Sequence, residues 1–408
     1  MPSSEVTSTP ISVPNQGFLL RAQKIFLYLG IAYALLVVLL TIPIVQLHVL
    51  YCHSLRWPLF ARFDLPAKYG LSPSKTLNLQ LTTSDNVTLG AWFTLSDPYY
   101  QSLPSSPDAL TPSSEHIRSA LASYPTILYF HGNAATRAVP LRVQHYTTFS
   151  SRLHANVLAI DYRGFGDSEG TPSEDGLIRD GRAAWDWLME RGVKGEDVLI
   201  VGLSLGTGVS VGLAKELSDE GMEMKGVVLL APFESVGILL DTYMILGLLP
   251  VIRPLQMIPG ASGLVRRFLI HKFDTISRIR DIKAPILLAH SEDDWDIPVS
   301  HSEVLFEHLL EPHLPSVPSL PTSPAELSKI SQADWDAYAT AQTRRKEARD
   351  ELVLKKNLEH FGSIQEFSTG GARVVFTKTV WGGHDRIGLQ EGVQDAIGRT
   401  FGMGSYAR

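Results

Sequence analysis

A serine stands between two glycines where an apolar strand has to stop and a helix has to start: Val198 to Val201, then Gly202-Leu203-Ser204-Leu205-Gly206, then small residues from Thr207 onward. A strand that turns sharply into a helix pushes its turn residue outward, so the serine oxygen stands clear of the sheet edge while the glycines relieve the crowding. The first N–H groups of the helix have no partner inside it and attract developing negative charge. Such a pentapeptide is frequent by chance. Its place between strand and helix is what makes Ser204 a candidate nucleophile.

Apolar runs alternate with helical patterns on both sides of this turn. Thr76 to Phe93 alternates about Asp85-Asn86, which predicts an antiparallel hairpin, and further strands are expected in ILYFHG from Ile127, NVLAIDYRG from Asn156, DVLIVGLS from Asp197, GVVLLAPF from Gly226, PILLAHSEDD from Pro285 and RVVFTKTVWGGHD from Arg373. Leu177, Ala184, Trp185 and Leu188 recur at helical spacing. The order predicts an α/β fold: a mostly parallel, eight-stranded sheet with helices on both faces.

A serine hydroxyl is a weak nucleophile near neutral pH, so it needs a base, and the base needs an orienting carboxylate. Asp294 follows the strand PILLAH within HSEDDWDIP, and His384 follows VVFTKTV within WGGHD, which puts Ser204, Asp294 and His384 in the α/β-hydrolase order. Asp293 is the competing carboxylate, and Asp296 is expected to cap the segment opened by Ile297-Pro298. Acyl transfer also puts negative charge on the former carbonyl oxygen, which calls for two donors. The expected pair is the backbone N–H groups of Leu205 and of Asn133, in the loop His131-Gly132-Asn133-Ala134, with His131 bracing that loop.

Other classes of function are excluded by composition. Lys and Arg number 36 against 42 Asp and Glu, a net charge of −6, so there is no basic footprint for nucleic acid. The single cysteine, Cys52, rules out an internal disulfide and a Cys-based zinc site. Asp385 has no close second His or Cys beside it, so no metal is expected. Nothing in the sequence sets an oligomeric state.

Ile25 to Val45 holds 21 residues without a charge. About 20 helical residues cross a hydrocarbon core of roughly 30 Å. The stretch is longer than the apolar region of a signal peptide and lacks a small-residue cleavage site after it. The expected organisation is a disordered tail over 1–24, a transmembrane helix over 25–45, a membrane-proximal linker over 46–75 and one catalytic unit over 76–402. Within that unit, a Pro/Ser-rich loop is expected in 97–122 and a solvated, charged insertion in 311–354. The sequon Asn86-Val87-Thr88 falls on a turn and is a glycosylation candidate, which favours a lumenal catalytic unit in the endoplasmic reticulum.

The motifs HGNAATR, DYRGFGDSEG, GLSLGTG, HSEDDWDIP and GGHD resemble those of the serine α/β-hydrolases. Within these the chain looks most like the membrane-anchored abhydrolase-domain monoacylglycerol and lysophosphatidylserine lipases and their fungal relatives, over roughly Thr76 to Gly402. The resemblance implies Ser204 as nucleophile, Asp294 as orienter, His384 as general base and acid, and Asn133 and Leu205 as oxyanion donors. It also implies a lipid ester as substrate, an acyl-enzyme intermediate, no cofactor, and a cap after the sixth strand, here the apolar 234–280. Ala135 stands where relatives often carry Gly. DYRGFGDSEG and HGN occur in protein palmitoyl-thioesterases too, so that activity stays open, as does a catalytically idle membrane scaffold.

Overall fold

The computed structural model describes residues 17–103, 114–242, 244–245, 249–250, 253–321, 323, 326, 329–370 and 372–407. Most of the expected tail, the Pro/Ser stretch 104–113 of the first loop and the centre of the cap, including Leu246 and Leu248, lie outside these residues.

One sheet carries ten strands. They are β1 (Thr76–Thr82), β2 (Thr88–Thr94), β3 (Thr126–Phe130), β4 (Asn156–Ile160), β5 (Val198–Leu203), β6 (Gly226–Leu230), β9 (Ile286–Ser291), β10 (Leu354–Leu358), β11 (Gly362–Thr369) and β12 (Ala372–Thr379); β7 (Met244–Ile245) and β8 (Leu249–Pro250) form a small ladder apart. The spatial order is β1-β2-β4-β3-β5-β6-β9-β12-β11-β10. From β4 to β12 all neighbours run parallel, and the flanking pairs are antiparallel.

The expectation of eight strands is therefore corrected to ten. The two extra strands, β10 and β11, form an edge hairpin directly after the charged insertion. Almost every position of β10, LKKNL, is exposed, so it shows no alternation of apolar and polar residues for a sequence reading to detect. The insertion itself is the helix Gln332–Leu352, closed at its start by a Ser331–Asp334 capping box and buried at none of its described positions.

The central strands read as continuous apolar runs because both faces are covered. Ile127 and Tyr129 of β3 pack into one hydrophobic cluster, while Leu128 and Phe130 pack into the other. Beneath the loops that follow β3 and β4, Arg137 is fully buried between two carboxylates, 2.6 Å from Asp161 Oδ2 and 2.6 Å from Asp167 Oδ1, with its guanidinium 4.0 Å from the Phe63 ring centroid. Burial, the largest single influence, would raise the Asp161 carboxyl, but Arg137, His131 and Arg142 together outweigh it and hold the group below its ordinary value. HGNAATR and DYRGFGDSEG are thus joined through side chains inside the molecule.

At the amino-terminal end, α1 (Phe18–Leu39) includes 20 residues, Leu20–Leu39, long and apolar enough to cross a membrane and buried nowhere in the fold. The expected span of 25–45 overlaps this stretch over 25–39. Pro43 has no N–H to continue a helix, so the chain breaks after Leu39 and restarts as α2 (Pro43–Tyr51), which packs on the catalytic unit. The Gln46 side chain clamps the cap from α2: Nε2 donates to the Phe268 carbonyl at 2.8 Å, and Oε1 accepts from the Ile270 N–H at 3.1 Å.

Replacing Arg137 by Met takes the guanidinium from the buried Asp161 and leaves it only the backbone N–H of residue 137 and the nearby His131 ring. Loss of one partner of a buried pair costs about 3–5 kcal/mol. Chemical denaturation of the detergent-solubilised chain should show a destabilisation of that order.

Candidate active site

Parallel pairing makes β3, β5, β9 and β12 end on the same side of the sheet. The loops after these strands bring Asn133, Ser204, Asp294 and His384 to one rim. Ser204 has φ 53° and ψ −121°, a conformation that costs a non-glycine residue of order 1–3 kcal/mol. Its surroundings impose it. The Ser204 N–H donates to the Leu230 carbonyl at 3.0 Å, and the Ser204 carbonyl accepts from the Thr207 N–H at 2.8 Å. A Cβ on Gly206 would run into the Phe130 carbonyl, and one on Gly202 into the Gly206 carbonyl, so both glycines are required by close approach.

His384 Nδ1–H donates to Asp294 Oδ2 at 2.8 Å, which leaves Nε2 without a proton when the ring is neutral. The other Asp294 oxygen accepts the N–H groups of Asp296 at 2.9 Å and Ile297 at 2.8 Å. Burial tends to raise the Asp294 carboxyl, yet hydrogen bonds from His290 and His384 prevail and hold it well below the usual carboxylate range. Burial likewise tends to lower His384. The hydrogen bond to Asp294 and the charges of Asp294, Asp385 and Asp296 reverse this and raise it above 6.5.

Asp293, the competing carboxylate, points elsewhere. Its Oδ1 accepts the Gly383 N–H at 2.7 Å and the Ser291 hydroxyl, so it holds the loop that carries His384. Gly383 sits at φ 57°, a left-handed turn that explains the glycine before the histidine. Asp296 donates its N–H to Asp294 and lines the active-site cavity. His131 is fully buried, with Nδ1–H on the Gly132 carbonyl at 2.7 Å, and burial lowers its affinity for a proton.

Ser204 and His384 line one cavity of about 500 Å³, and Asn133 and Leu205 line it with them. Leu205 opens the helix Leu205–Asp219, so its N–H is among those with no partner within the helix. Aliphatic side chains line the same cavity: Leu36 and Leu40 come from the apolar helix and its end, Val49 and Leu50 from α2, Leu239 and Leu269 from the cap. No His, Cys, Asp or Glu cluster suited to a metal occurs among the described residues. Asn86 is exposed on the turn between β1 and β2.

Three side chains at the site carried no assignment from the sequence. His290 donates through Nε2 to the Ile297 carbonyl at 2.9 Å and to Asp294 at 3.1 Å, while its Nδ1 accepts from Ser302 at 2.7 Å. Its position at the end of β9, in the same motif as Asp294, is the signal that was available. Arg142 lines the cavity from the helix Pro140–Arg152, and Gln46 lines it from α2. Neither lies in a motif with chemical meaning.

A family profile described as "Alpha/beta hydrolase family" matches residues 127–366, more than half of the chain. The lysophosphatidylserine lipase ABHD12 of Xenopus tropicalis is 32% identical over 299 residues, covering 70% of this chain and 71% of its own. The protein of the same name from Danio rerio is 29% identical over 296 residues, covering 71% and 73%. Among solved structures, an alpha-beta hydrolase from Vibrio vulnificus superposes with a TM-score of 0.51 at 15% identity, covering 86% of this chain and 91% of that one, a likeness of fold. The chain belongs to the alpha/beta hydrolase family and is a relative of its abhydrolase-domain lipases.

Proposed function

We propose that the protein is a membrane-anchored serine hydrolase that cleaves carboxylic esters of single-chain lipids, monoacylglycerol or lysophospholipid. The observation that carries this reading is one cavity lined by Ser204, by an Asp294-oriented His384 and by aliphatic residues of the apolar helix and cap. The relatives named as lysophosphatidylserine lipases point to the same class of ester.

His384 Nε2 takes the Ser204 hydroxyl proton as Oγ attacks the ester carbonyl carbon. The carbonyl oxygen becomes an oxyanion facing the N–H groups of Asn133 and Leu205. The imidazolium then gives its proton to the departing alcohol oxygen, leaving the acyl group on Ser204. Water, deprotonated by His384, attacks that ester, and the fatty acid leaves as Ser204 recovers its proton. Each buried methylene of the acyl chain adds about 0.8 kcal/mol to binding, which an aliphatic cavity can collect.

Leu36 and Leu40 belong both to the apolar helix and its end and to the cavity wall, so a lipid in the membrane plane lies close to the site. Phe268 and Ile270, the cap residues held by Gln46, are exposed and would meet the bilayer on the same side. The exposed sequon at Asn86 supports a lumenal catalytic unit in the endoplasmic reticulum.

Labelling by a fluorophosphonate probe should disappear in Ser204→Ala; persistent labelling would remove Ser204 as nucleophile. An inert wild type would favour the idle scaffold. Turnover of monoacylglycerol and lysophosphatidylserine should exceed that of a palmitoyl-thioester peptide, and the reverse order would make the chain a protein thioesterase.

His384 acts as a base only when neutral, and its proton affinity is raised. The rate should therefore climb with pH through a midpoint above 6.5. Asp296→Asn removes one of the charges that raise His384 and should move that midpoint toward acid. Endoglycosidase treatment of the expressed chain should change its mobility on a gel, and Asn86→Gln should abolish the change. A wild type with no shift would speak against the lumenal placement.

A further inference from the structure

The loop that carries Asn133 is held on both sides, and one holder is the chain just after the apolar helix. On the carbonyl side, Arg142 Nη2 donates to three successive peptide oxygens: Gly132 at 3.2 Å, Asn133 at 3.0 Å and Ala134 at 2.8 Å. On the opposite side, the N–H groups of Ala134, Ala135 and Thr136 donate to the carbonyls of Tyr51 at 2.8 Å, Leu55 at 2.8 Å and Trp57 at 3.1 Å. Ala134 and Ala135 have φ of 58° and 54°. Two consecutive non-glycine residues in the left-handed region persist only where their surroundings over-determine them.

The C=O and N–H of a trans peptide point in opposite directions. The Gly132 carbonyl is taken from two sides, by Arg142 Nη2 and by His131 Nδ1 at 2.7 Å. The N–H of the same peptide, that of Asn133, must then face the other way. Among the described residues no backbone carbonyl accepts it, whereas each of the next three N–H groups has its acceptor in the post-helix chain. A cation on the carbonyl side also polarises the peptide and strengthens the N–H as a donor.

We propose that Arg142 and the backbone from Tyr51 to Trp57 are the two halves of a clamp that fixes the Gly132–Asn133 peptide with its N–H directed at the oxyanion, so that the membrane-proximal segment is a working part of the catalytic site. The proposal rests on the serine-hydrolase reading. Arg142 is a positioning residue, because it reaches the reacting atoms only through the peptides it holds. The bonds that Tyr51, Leu55 and Trp57 accept come from backbone carbonyls, so their side chains can vary without loosening the clamp.

The test uses the full chain in detergent with Arg142→Gln, Arg142→Lys and a glycine inserted after Ser54, which displaces the Leu55 and Trp57 carbonyls. The readouts are kcat and KM on a soluble short-chain nitrophenyl ester, monoacylglycerol and lysophosphatidylserine, together with the affinity of a trifluoromethyl ketone that forms a tetrahedral adduct on Ser204. A small misplacement of a catalytic group costs on the order of 10²-fold. The proposal expects a fall in kcat of that size on every ester with KM nearly unchanged, a parallel fall in ketone affinity, and partial recovery in Arg142→Lys.

Unchanged kcat, or a fall in kcat without a fall in ketone affinity, overturns the proposal. A loss confined to lysophosphatidylserine also overturns it. That result would assign Arg142, whose Nη1 is buried without a hydrogen-bond partner, to the phosphate of the headgroup. If Arg142→Gln gives no cooperative melt, Arg142→Lys and the insertion carry the same comparison. A wild type that binds the ketone and turns over none of the esters would refute the substrate reading alone, and ketone affinity would still decide the clamp.

Discussion

Parallel pairing from β4 to β12 is the constraint on which the site depends. Each of these strands starts on one side of the sheet and ends on the other, so residues far apart in sequence meet only after the register between neighbours is set. Ser204 Cβ lies 3.3 Å from where a side chain on Gly132 would begin, although the two residues follow different strands. A slip of one residue in β5 would turn its apolar side chains to the other face and take the turn at Ser204 with it. The two hydrophobic clusters, one on each face, hold that register.

Polar groups then do what packing cannot. Asp294 is buried and still ionised because two histidines and two backbone N–H groups meet its oxygens. Glu174, on the helix Glu174–Met189, accepts the N–H groups of Lys272 at 2.7 Å and Phe273 at 3.0 Å, and so fixes where the cap returns to the sheet. Gln46 fixes the cap from the other side. Each of these groups satisfies backbone atoms that lie outside the regular ladders of helix and sheet.

Much of this was legible in the sequence, for identifiable reasons. Strands covered on both faces betray themselves as apolar runs, and the glycines beside Ser204 and before His384 mark places where the backbone has no room for a side chain or takes a left-handed turn. The choice between Asp293 and Asp294 was not fixed by pattern, since both sit in one acidic loop, and only the geometry gives Asp294 to His384 and Asp293 to Gly383. The hairpin of β10 and β11 was hidden because an exposed edge strand needs no apolar period. Arg142 and the carbonyls of Tyr51, Leu55 and Trp57 were invisible for another reason: their partners are main-chain atoms, which every residue possesses.

The breakage after Leu39 has a further bearing on the cell biology of such a chain. Because α2 and the residues behind it bond to the loop at Ala134 and wall the cavity with Val49 and Leu50, the foot of the protein is also part of its frame. A fragment that begins beyond Trp57 would lack both the acceptors of that loop and this part of the cavity wall, so the segment behind the apolar helix is not a dispensable tether.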